Sequence, residues 1–109
     1  MGTFDKYLLK QEPTLRRRIE IDISLYEKLK GLSDNVYDAS VNKLVNIAII
    51  DMVEQDNVEL YSRPEEERTE PHNFLIRESA VNGLEKLKAK YGLSIFKLVN
   101  IAIYNALYK

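Results

Sequence analysis

An eight-residue segment occurs twice in this 109-residue chain. Residues 43–50 are KLVNIAII, and residues 97–104, which lie 54 positions later, are KLVNIAIY, so seven of the eight positions are identical. Two copies of one segment indicate a duplicated structural unit, and they determine how the rest of the chain aligns with itself. Because a short strand with two helices has too little core of its own, we predict that the two units share one core.

The duplication extends upstream of the octapeptide once one inserted residue is allowed, which changes the offset to 55 residues. Apolar residues there recur at i, i+4, i+7 and i+11, which is the stripe of an amphipathic helix. The stripe consists of Leu25, Leu29, Leu32 and Val36 in the first copy, and of Ala80, Leu84, Leu87 and Tyr91 in the second. The octapeptides then form the second helices, whose mutual contact we predict to be lined by Leu44, Ala48, Met52, Leu98 and Ala102.

Residues alternate between apolar and polar before each stripe, as in a half-buried strand. Ile19 and Ile21 are the apolar positions in the first copy, and Phe74 and Ile76 are their equivalents in the second. Each copy is therefore predicted to form a strand, a helix, a turn and a second helix.

Small polar residues mark the predicted turns. Ser40 and Ser94 each precede the second apolar run directly, where a hydroxyl accepts a hydrogen bond from the first helical turn. Gly92 stands where the preceding helix should end in a residue with positive φ.

Composition excludes several classes of protein. The chain has no cysteine, so disulfides and thiolate metal sites are excluded and a cytoplasmic setting is expected. No apolar stretch is long enough to span a bilayer, so a soluble protein is expected. His72 is the only histidine and falls on the buried phase of its strand, and no His/Asp/Glu cluster has metal-ligand spacing. We expect neither a cofactor nor a metal, and no enzymatic activity.

Charge is distributed unevenly although the net charge is only −1. Residues 51–70 hold eight acidic residues against two arginines, while residues 71–109 hold six basic residues against two acidic ones. The prolines at 64 and 71 bracket the acidic stretch, which is typical of a solvated linker. A regulatory or partner-binding tether is the alternative.

These patterns divide the chain into an N-terminal arm at 1–15, a first motif at 16–54, an acidic linker at 55–70 and a second motif at 71–109. In the arm, Phe4, Tyr7 and Leu8 indicate a short amphipathic turn that packs on the domain or contacts another chain.

A strand followed by two helices, with serine capping the second, resembles the ribbon-helix-helix (MetJ/Arc/CopG) superfamily of DNA-binding proteins. Residues 78–87 and 92–94 are similar to the first helix and turn of CopG-type repressors. The duplication is similar to single-chain members such as conjugation accessory proteins of the TraY kind and archaeal-virus transcription regulators of the AvtR kind. The resemblance covers 16–54 and 71–108. It implies a mainly α fold with a two-stranded antiparallel ribbon, in which the two motifs form an intrachain pseudo-dimer.

The resemblance also implies a sequence-specific transcriptional regulator, such as a repressor from a virus or mobile element. Such a protein binds double-stranded DNA and is associated with the nucleoid in the cytoplasm of a prokaryotic host. In this superfamily the ribbon lies in the major groove and its outward side chains contact bases. The residues implied to contact bases are Arg16, Arg18, Glu20, Asn73, Leu75 and Arg77, with Asp22 and Pro71 on the same face. Glu20 and Asp22 are the main departure from the superfamily pattern, since phosphate repels a carboxylate on the face that approaches DNA.

Phosphate binding in the superfamily comes from the N-terminus of the second helix, where free N–H groups and the helix dipole attract an anion. The implied positions are Ser40, Val41, Lys43, Ser94, Ile95 and Lys97. The alternative is that both serines act only as N-caps.

A second function remains open from the sequence. The acidic linker and the carboxylates of the first strand favour a protein-interaction module or a relaxosome accessory scaffold. The serine and lysine at the start of each second helix, together with the arginines of the first strand, favour DNA binding. Chains could in addition associate with one another along the DNA.

Overall fold

The computed structural model describes residues 13–36, 39–63 and 66–109. In chain order, the described part contains β1 (Thr14–Asp22), α1 (Ile23–Asn35), α2 (Val41–Gln55), β2 (Thr69–Arg77), α3 (Glu78–Tyr91) and α4 (Ile95–Tyr108). The expected turn involving Phe4, Tyr7 and Leu8 lies outside the described residues. The predicted order of strand, helix and helix is found in both halves, and the mainly helical class with a two-stranded sheet is confirmed.

The two strands pair antiparallel over nine residues each, from Thr14 opposite Arg77 to Asp22 opposite Thr69. Arg18 lies opposite Asn73 at the centre of this pairing. Both strands begin two residues earlier than the sequence motifs indicated, because each strand supplies a hydrogen-bonding partner for the first residues of the other.

Each first helix begins directly after its strand, and the two junctions are held in the same way. The Ile23 N–H donates to the Arg68 carbonyl at 2.9 Å, and the Glu78 N–H donates to the Pro13 carbonyl at 2.9 Å. Both donors and both acceptors are 55 residues apart, so the second half of the chain repeats the contact made by the first.

One core is formed by residues from both halves. Ile21, Ile49, Ile76, Leu98 and Ile103 are completely buried in it. The predicted stripe of α1 is buried at Leu25 and Leu29 but not at Val36, which is 65% exposed because α1 ends one residue earlier. In the same way Tyr91, the last residue of the second stripe, is exposed at the end of α3. The apolar periodicity is therefore correct for the body of each helix and fails at its last turn.

The predicted contact between α2 and α4 is present. Ala48, Met52, Leu98 and Ala102 are buried, but Leu44 is only partly buried, although it is equivalent to Leu98. Leu44 lies beside an open groove of about 350 Å³, which Leu32, Ile47 and Leu107 also line.

Among the described residues, the two halves differ at one helix contact near this groove. Gly83 of α3 packs directly on Val53, and a Cβ atom at position 83 would lie 2.6 Å from Val53 Cγ1. The equivalent position in α1 is Lys28, whose Nζ lies 4.4 Å from the centroid of the Tyr108 ring. A lysine cannot bring two helices as close together as a glycine, so the first half leaves space that the second half fills.

We expect Gly83→Ala to destabilise the protein by about 1–3 kcal/mol through overpacking. The added methyl meets Val53, whose branched side chain has little rotamer freedom, and this cost outweighs the helix propensity gained, which is at most about 1 kcal/mol. The matched control is Gly31→Ala in α1, where an added Cβ meets nothing within 4 Å, and which should gain about 0.5–1 kcal/mol. Urea denaturation measures both variants. Equal stabilisation by the two substitutions would contradict the close contact at Gly83.

Candidate nucleic-acid interface

The outward face of the two-stranded ribbon is exposed over most of its length. On the inner face, Ile19 and Ile21 of β1 and Phe74 and Ile76 of β2 are buried in the core. Since successive side chains of a strand point to opposite faces, the alternate residues point away from the core. The exposed outward residues are Arg16, Arg18 and Glu20 of β1 and Pro71, Asn73, Leu75 and Arg77 of β2.

Asn100 of α4 holds the outer edge of β1. Its Nδ2 donates to the Glu20 carbonyl at 2.9 Å, and its Oδ1 accepts from the Asp22 N–H at 2.9 Å. The Asn100 side chain is almost fully buried. One amide thus satisfies two backbone groups that no second strand pairs with.

Asn46 of α2 holds the outer edge of β2 with the same two bonds. Its Nδ2 donates to the Leu75 carbonyl at 2.9 Å, and its Oδ1 accepts from the Arg77 N–H at 2.9 Å. Leu75 and Arg77 are the equivalents of Glu20 and Asp22, so each half of the chain clamps the strand of the other half. This crossed arrangement fixes the ribbon on the four helices.

The edge of β2 has an additional clamp. Asn42, in the first turn of α2, donates to the Leu75 carbonyl at 3.1 Å and accepts from the Leu75 N–H at 2.8 Å. The equivalent residue in α4 is Phe96, which has no amide to offer. The two edges of the ribbon are therefore held with unequal numbers of bonds.

Asn46 and Asn100 are not among the residues predicted above to form the site. The signal was present, because the same polar residue recurs at the centre of an apolar run in both octapeptides. A buried amide in such a run needs hydrogen-bonding partners, but their identity depends on the packing of the other half.

The second helices begin beside the two edges of the ribbon. Asn42 places the start of α2 next to Leu75, and Asn100 places the first turns of α4 next to Glu20. Ser40 and Ser94 are confirmed as N-caps: Ser40 Oγ accepts from the Lys43 N–H at 3.1 Å, and Ser94 Oγ accepts from the Lys97 N–H at 3.2 Å.

The other residues predicted to bind phosphate at these helix starts differ in their exposure to solvent. Val41 and Ile95 are partly buried against the core, whereas Lys43 and Lys97 are exposed. Within the described part of the chain, neither lysine takes part in an ion pair. Two lysines without an ion-pair partner among the described residues therefore lie at the helix starts beside the ribbon, one near each edge.

The structure corrects the placement of Asp22 on the outward face. Asp22 is only 1% exposed, and its carboxylate receives Arg63 Nη2 at 2.7 Å and Arg63 Nε at 3.1 Å. The Tyr61 hydroxyl also donates to it. Burial, followed by this hydrogen bond, raises the pKa of Tyr61 well above its usual range, so its hydroxyl remains a neutral donor. The Asp22 charge is thus neutralised inside the protein.

Glu20 stays exposed on the outward face, where it accepts a hydrogen bond from the Thr69 hydroxyl at 3.1 Å. The charged outward residues of the ribbon are then three arginines and one glutamate: Arg16, Arg18, Arg77 and Glu20. The face is positive overall, which the sequence alone did not establish.

Part of the stretch predicted as a solvated linker is bonded to the first half of the chain. Besides the contact of Arg63 with Asp22, Glu67 Oε1 accepts from the Ser24 hydroxyl at 2.9 Å. His72, which the sequence places on the buried phase of its strand, is partly buried and stacks on Tyr26 with 3.7 Å between ring centroids.

Comparisons of the chain with family models, with curated proteins and with solved structures give no match. Within the described residues, no group of three or more His, Cys, Asp or Glu side chains is placed to hold a metal ion. The described helices are all too short or too polar to cross a membrane. The resemblance to the ribbon-helix-helix superfamily therefore rests on the duplicated motifs.

Proposed function

We propose that the two halves form an intrachain ribbon-helix-helix pseudo-dimer and that the protein is a sequence-specific regulator of transcription that binds double-stranded DNA. The observation that carries the proposal is the clamped, positively charged ribbon. Its outward side chains are exposed along both strands, while Asn46 and Asn100 hold its two edges against the helices. A rigid two-stranded ribbon has the width to enter the major groove of B-DNA, which is about 12 Å wide.

The outward residues have the chemistry that base contacts require. Arginine donates two hydrogen bonds to guanine, and asparagine exchanges two with adenine. Arg18 and Asn73 are paired at the centre of the ribbon. Leu75 is 51% exposed in spite of its apolar side chain, and it suits contact with the methyl group of thymine.

The burial of Asp22 supports DNA binding over a protein scaffold. An exposed carboxylate at the end of β1 would repel the phosphate backbone, and the Arg63 guanidinium removes that charge from the surface. Lys43 and Lys97 then provide cations at both edges of the ribbon, next to helix N-termini that favour anions. Phosphates of the two DNA strands that border the groove are the expected partners.

Because β1 and β2 present different outward residues, the DNA site of one chain is expected to be non-palindromic. A homodimer with two identical strands binds a palindrome, since its symmetry is matched by that of the DNA. In this chain, Arg18 on one strand faces Asn73 on the other, so the central base contacts are unequal.

In-vitro selection of binding sites from random DNA tests the proposal. Arg18→Ala and Asn73→Ala should each cost roughly 1–3 kcal/mol in binding and relax the preference at different base positions. Lys97→Ala should weaken binding to all sequences. It should also reduce the slope of log binding constant against log salt concentration by about one. Lys88→Ala removes an exposed lysine of α3 and serves as the charge-matched control, with little expected effect.

Two results would contradict the proposal. If the selected sequence changes in neither Arg18→Ala nor Asn73→Ala while Lys97→Ala loses binding, the ribbon is not the surface that contacts bases. If the wild-type protein binds no DNA at low salt, the alternative of a protein-interaction module replaces DNA binding.

A further inference from the structure

The repeated octapeptide has different surroundings in α2 and in α4. In α4, Ile101 is 1% exposed. Tyr61, from the segment between α2 and β2, lines one cavity with it and stacks on Tyr104 with 4.3 Å between ring centroids. Ile47, the equivalent residue in α2, is 51% exposed. The same side chain is therefore buried on one helix and exposed to solvent on the other.

Ile47 lies at the centre of the exposed side of α2. Residues three or four positions apart share one side of a helix. We call the set that shares this side with Ile47 the α2 face, which consists of Lys43, Leu44, Ile47, Ile50, Asp51 and Glu54. Leu44 and Ile50 are partly buried, and the three charged residues are exposed. The α2 face thus has an apolar centre between charged ends.

The charges of the α2 face are separated by sign along the helix. The charged residues of α2 are Lys43 in its first turn and Asp51 and Glu54 towards its end. None of the three takes part in an ion pair within the described part of the chain, although Asp51 Oδ1 accepts from Gln55 Nε2 at 2.8 Å. In α4 the positions of the two acids hold an asparagine and a tyrosine. The acidic end therefore occurs only on the helix whose central isoleucine is exposed.

The α2 face is complementary to itself when two copies pack antiparallel. Lys43 and Asp51 are each four residues from Ile47, on opposite sides of it. A two-fold axis at Ile47 places Lys43 beside Asp51 of the partner subunit, and it makes this pair twice. Leu44 lies beside Ile50 of the partner subunit in the same arrangement.

The remaining acid also has a favourable neighbour in this arrangement. Glu54 of the partner subunit lies beside Ser40, which caps the N-terminus of α2. The dipole of a helix favours negative charge at that end. All three charges of α2 therefore meet opposite charge or the positive end of a dipole.

We infer that two copies of this chain associate through the α2 face, with their α2 helices antiparallel about a two-fold axis at Ile47. The contact buries both Ile47 side chains and pairs charges that the described residues leave unpaired. A contact between one helix and one helix is small for a protein interface, so the dimer dissociates on dilution. The inference does not rest on DNA binding. Lys43 contacts either the partner subunit or a DNA phosphate, so the two compete at this edge of the ribbon.

Sedimentation velocity of the full chain without DNA, at concentrations from about 5 μM to about 500 μM, tests the association. We expect the wild type to change from monomer to dimer over this range. Lys43→Glu and Asp51→Lys each replace two attractive pairs by two repulsive ones, so each should weaken the dimer about tenfold or more. Both side chains are exposed, and both new charges suit the helix dipole, so folding is retained.

Mixing the two single variants separates this dimer from other modes of association. An equimolar mixture of Lys43→Glu with Asp51→Lys should dimerise again, because each subunit then carries the charges that complement the other. Ile47→Asp should abolish the dimer, whereas Lys97→Glu, which changes the equivalent lysine of α4, should leave it intact. A monomer at every concentration, a dimer unchanged by the single charge reversals, or a mixture without recovery would each overturn the inference.

Discussion

Truncation of Leu98 to alanine should lower the free energy of unfolding by about 2–5 kcal/mol. Leu98 is completely buried in the core where α2 packs on α4, so the shortened side chain leaves a cavity that the surrounding helices fill only in part. Stabilities of small domains are about 5–15 kcal/mol, which makes this a large fraction of the total. Equilibrium denaturation in urea, followed by circular dichroism, measures the loss.

Leu44→Ala is the matched control for this prediction. It changes the equivalent residue of the repeated octapeptide, but Leu44 is partly exposed to the groove. Because less of the Leu44 side chain is buried, truncation removes less buried apolar area. We therefore expect the free energy of unfolding to fall by about half as much as in Leu98→Ala, or less. Equal losses at the two positions would show that the groove is filled in solution, and a Leu98→Ala variant as stable as wild type would contradict the helix packing.

Asn100→Ala should cost about 2–4 kcal/mol, because it leaves two backbone groups of β1 without partners. The affected groups are the Glu20 carbonyl and the Asp22 N–H, next to the buried Asp22 carboxylate. The expected result is a marked loss of stability, together with faster amide hydrogen exchange along β1. Asn82→Ala, which removes an exposed amide from α3, controls for the substitution itself and should change stability by less than about 0.5 kcal/mol.

Asn46→Ala should cost less than Asn100→Ala although the two residues make the same bonds. The Leu75 carbonyl keeps the bond from Asn42 when Asn46 is truncated, so only the Arg77 N–H loses its partner. The double variant Asn42→Ala with Asn46→Ala should then lose more than the sum of the single changes. If the losses in free energy of unfolding were strictly additive, Asn42 would not share the Leu75 carbonyl with Asn46.

Most of the secondary structure was predictable because it depends on neighbours along the chain. The alternation around Ile19 and Phe74 defines the strands, and the serine caps define the starts of α2 and α4. Gly92 ends α3 with a φ of 67°, as a helix-terminating glycine does. The central pair, Arg18 opposite Asn73, is consistent with the duplication, since the two residues are 55 positions apart and so occupy equivalent positions in the two halves.

The exposed outward residues of the ribbon were also predictable in part. Period-two alternation assigns Arg18 and Asn73 to the outer face, and the structure exposes both. The same rule failed for Asp22, because its burial depends on Arg63, a residue 41 positions away. No local pattern indicates that a side chain in the acidic stretch folds back onto the end of β1.

The sequence by itself determined the duplicated strand–helix–helix units, their boundaries to within a few residues, and the apolar faces that form the core. Only the tertiary structure decided that Asn46 and Asn100 clamp opposite strands, that Asp22 is neutralised, and that Leu44 lies at an open groove while Leu98 is buried. The physical reason is the range of the interactions. Periodicity and capping act over a few residues, whereas buried polar groups take partners from whichever segment the packing brings to them.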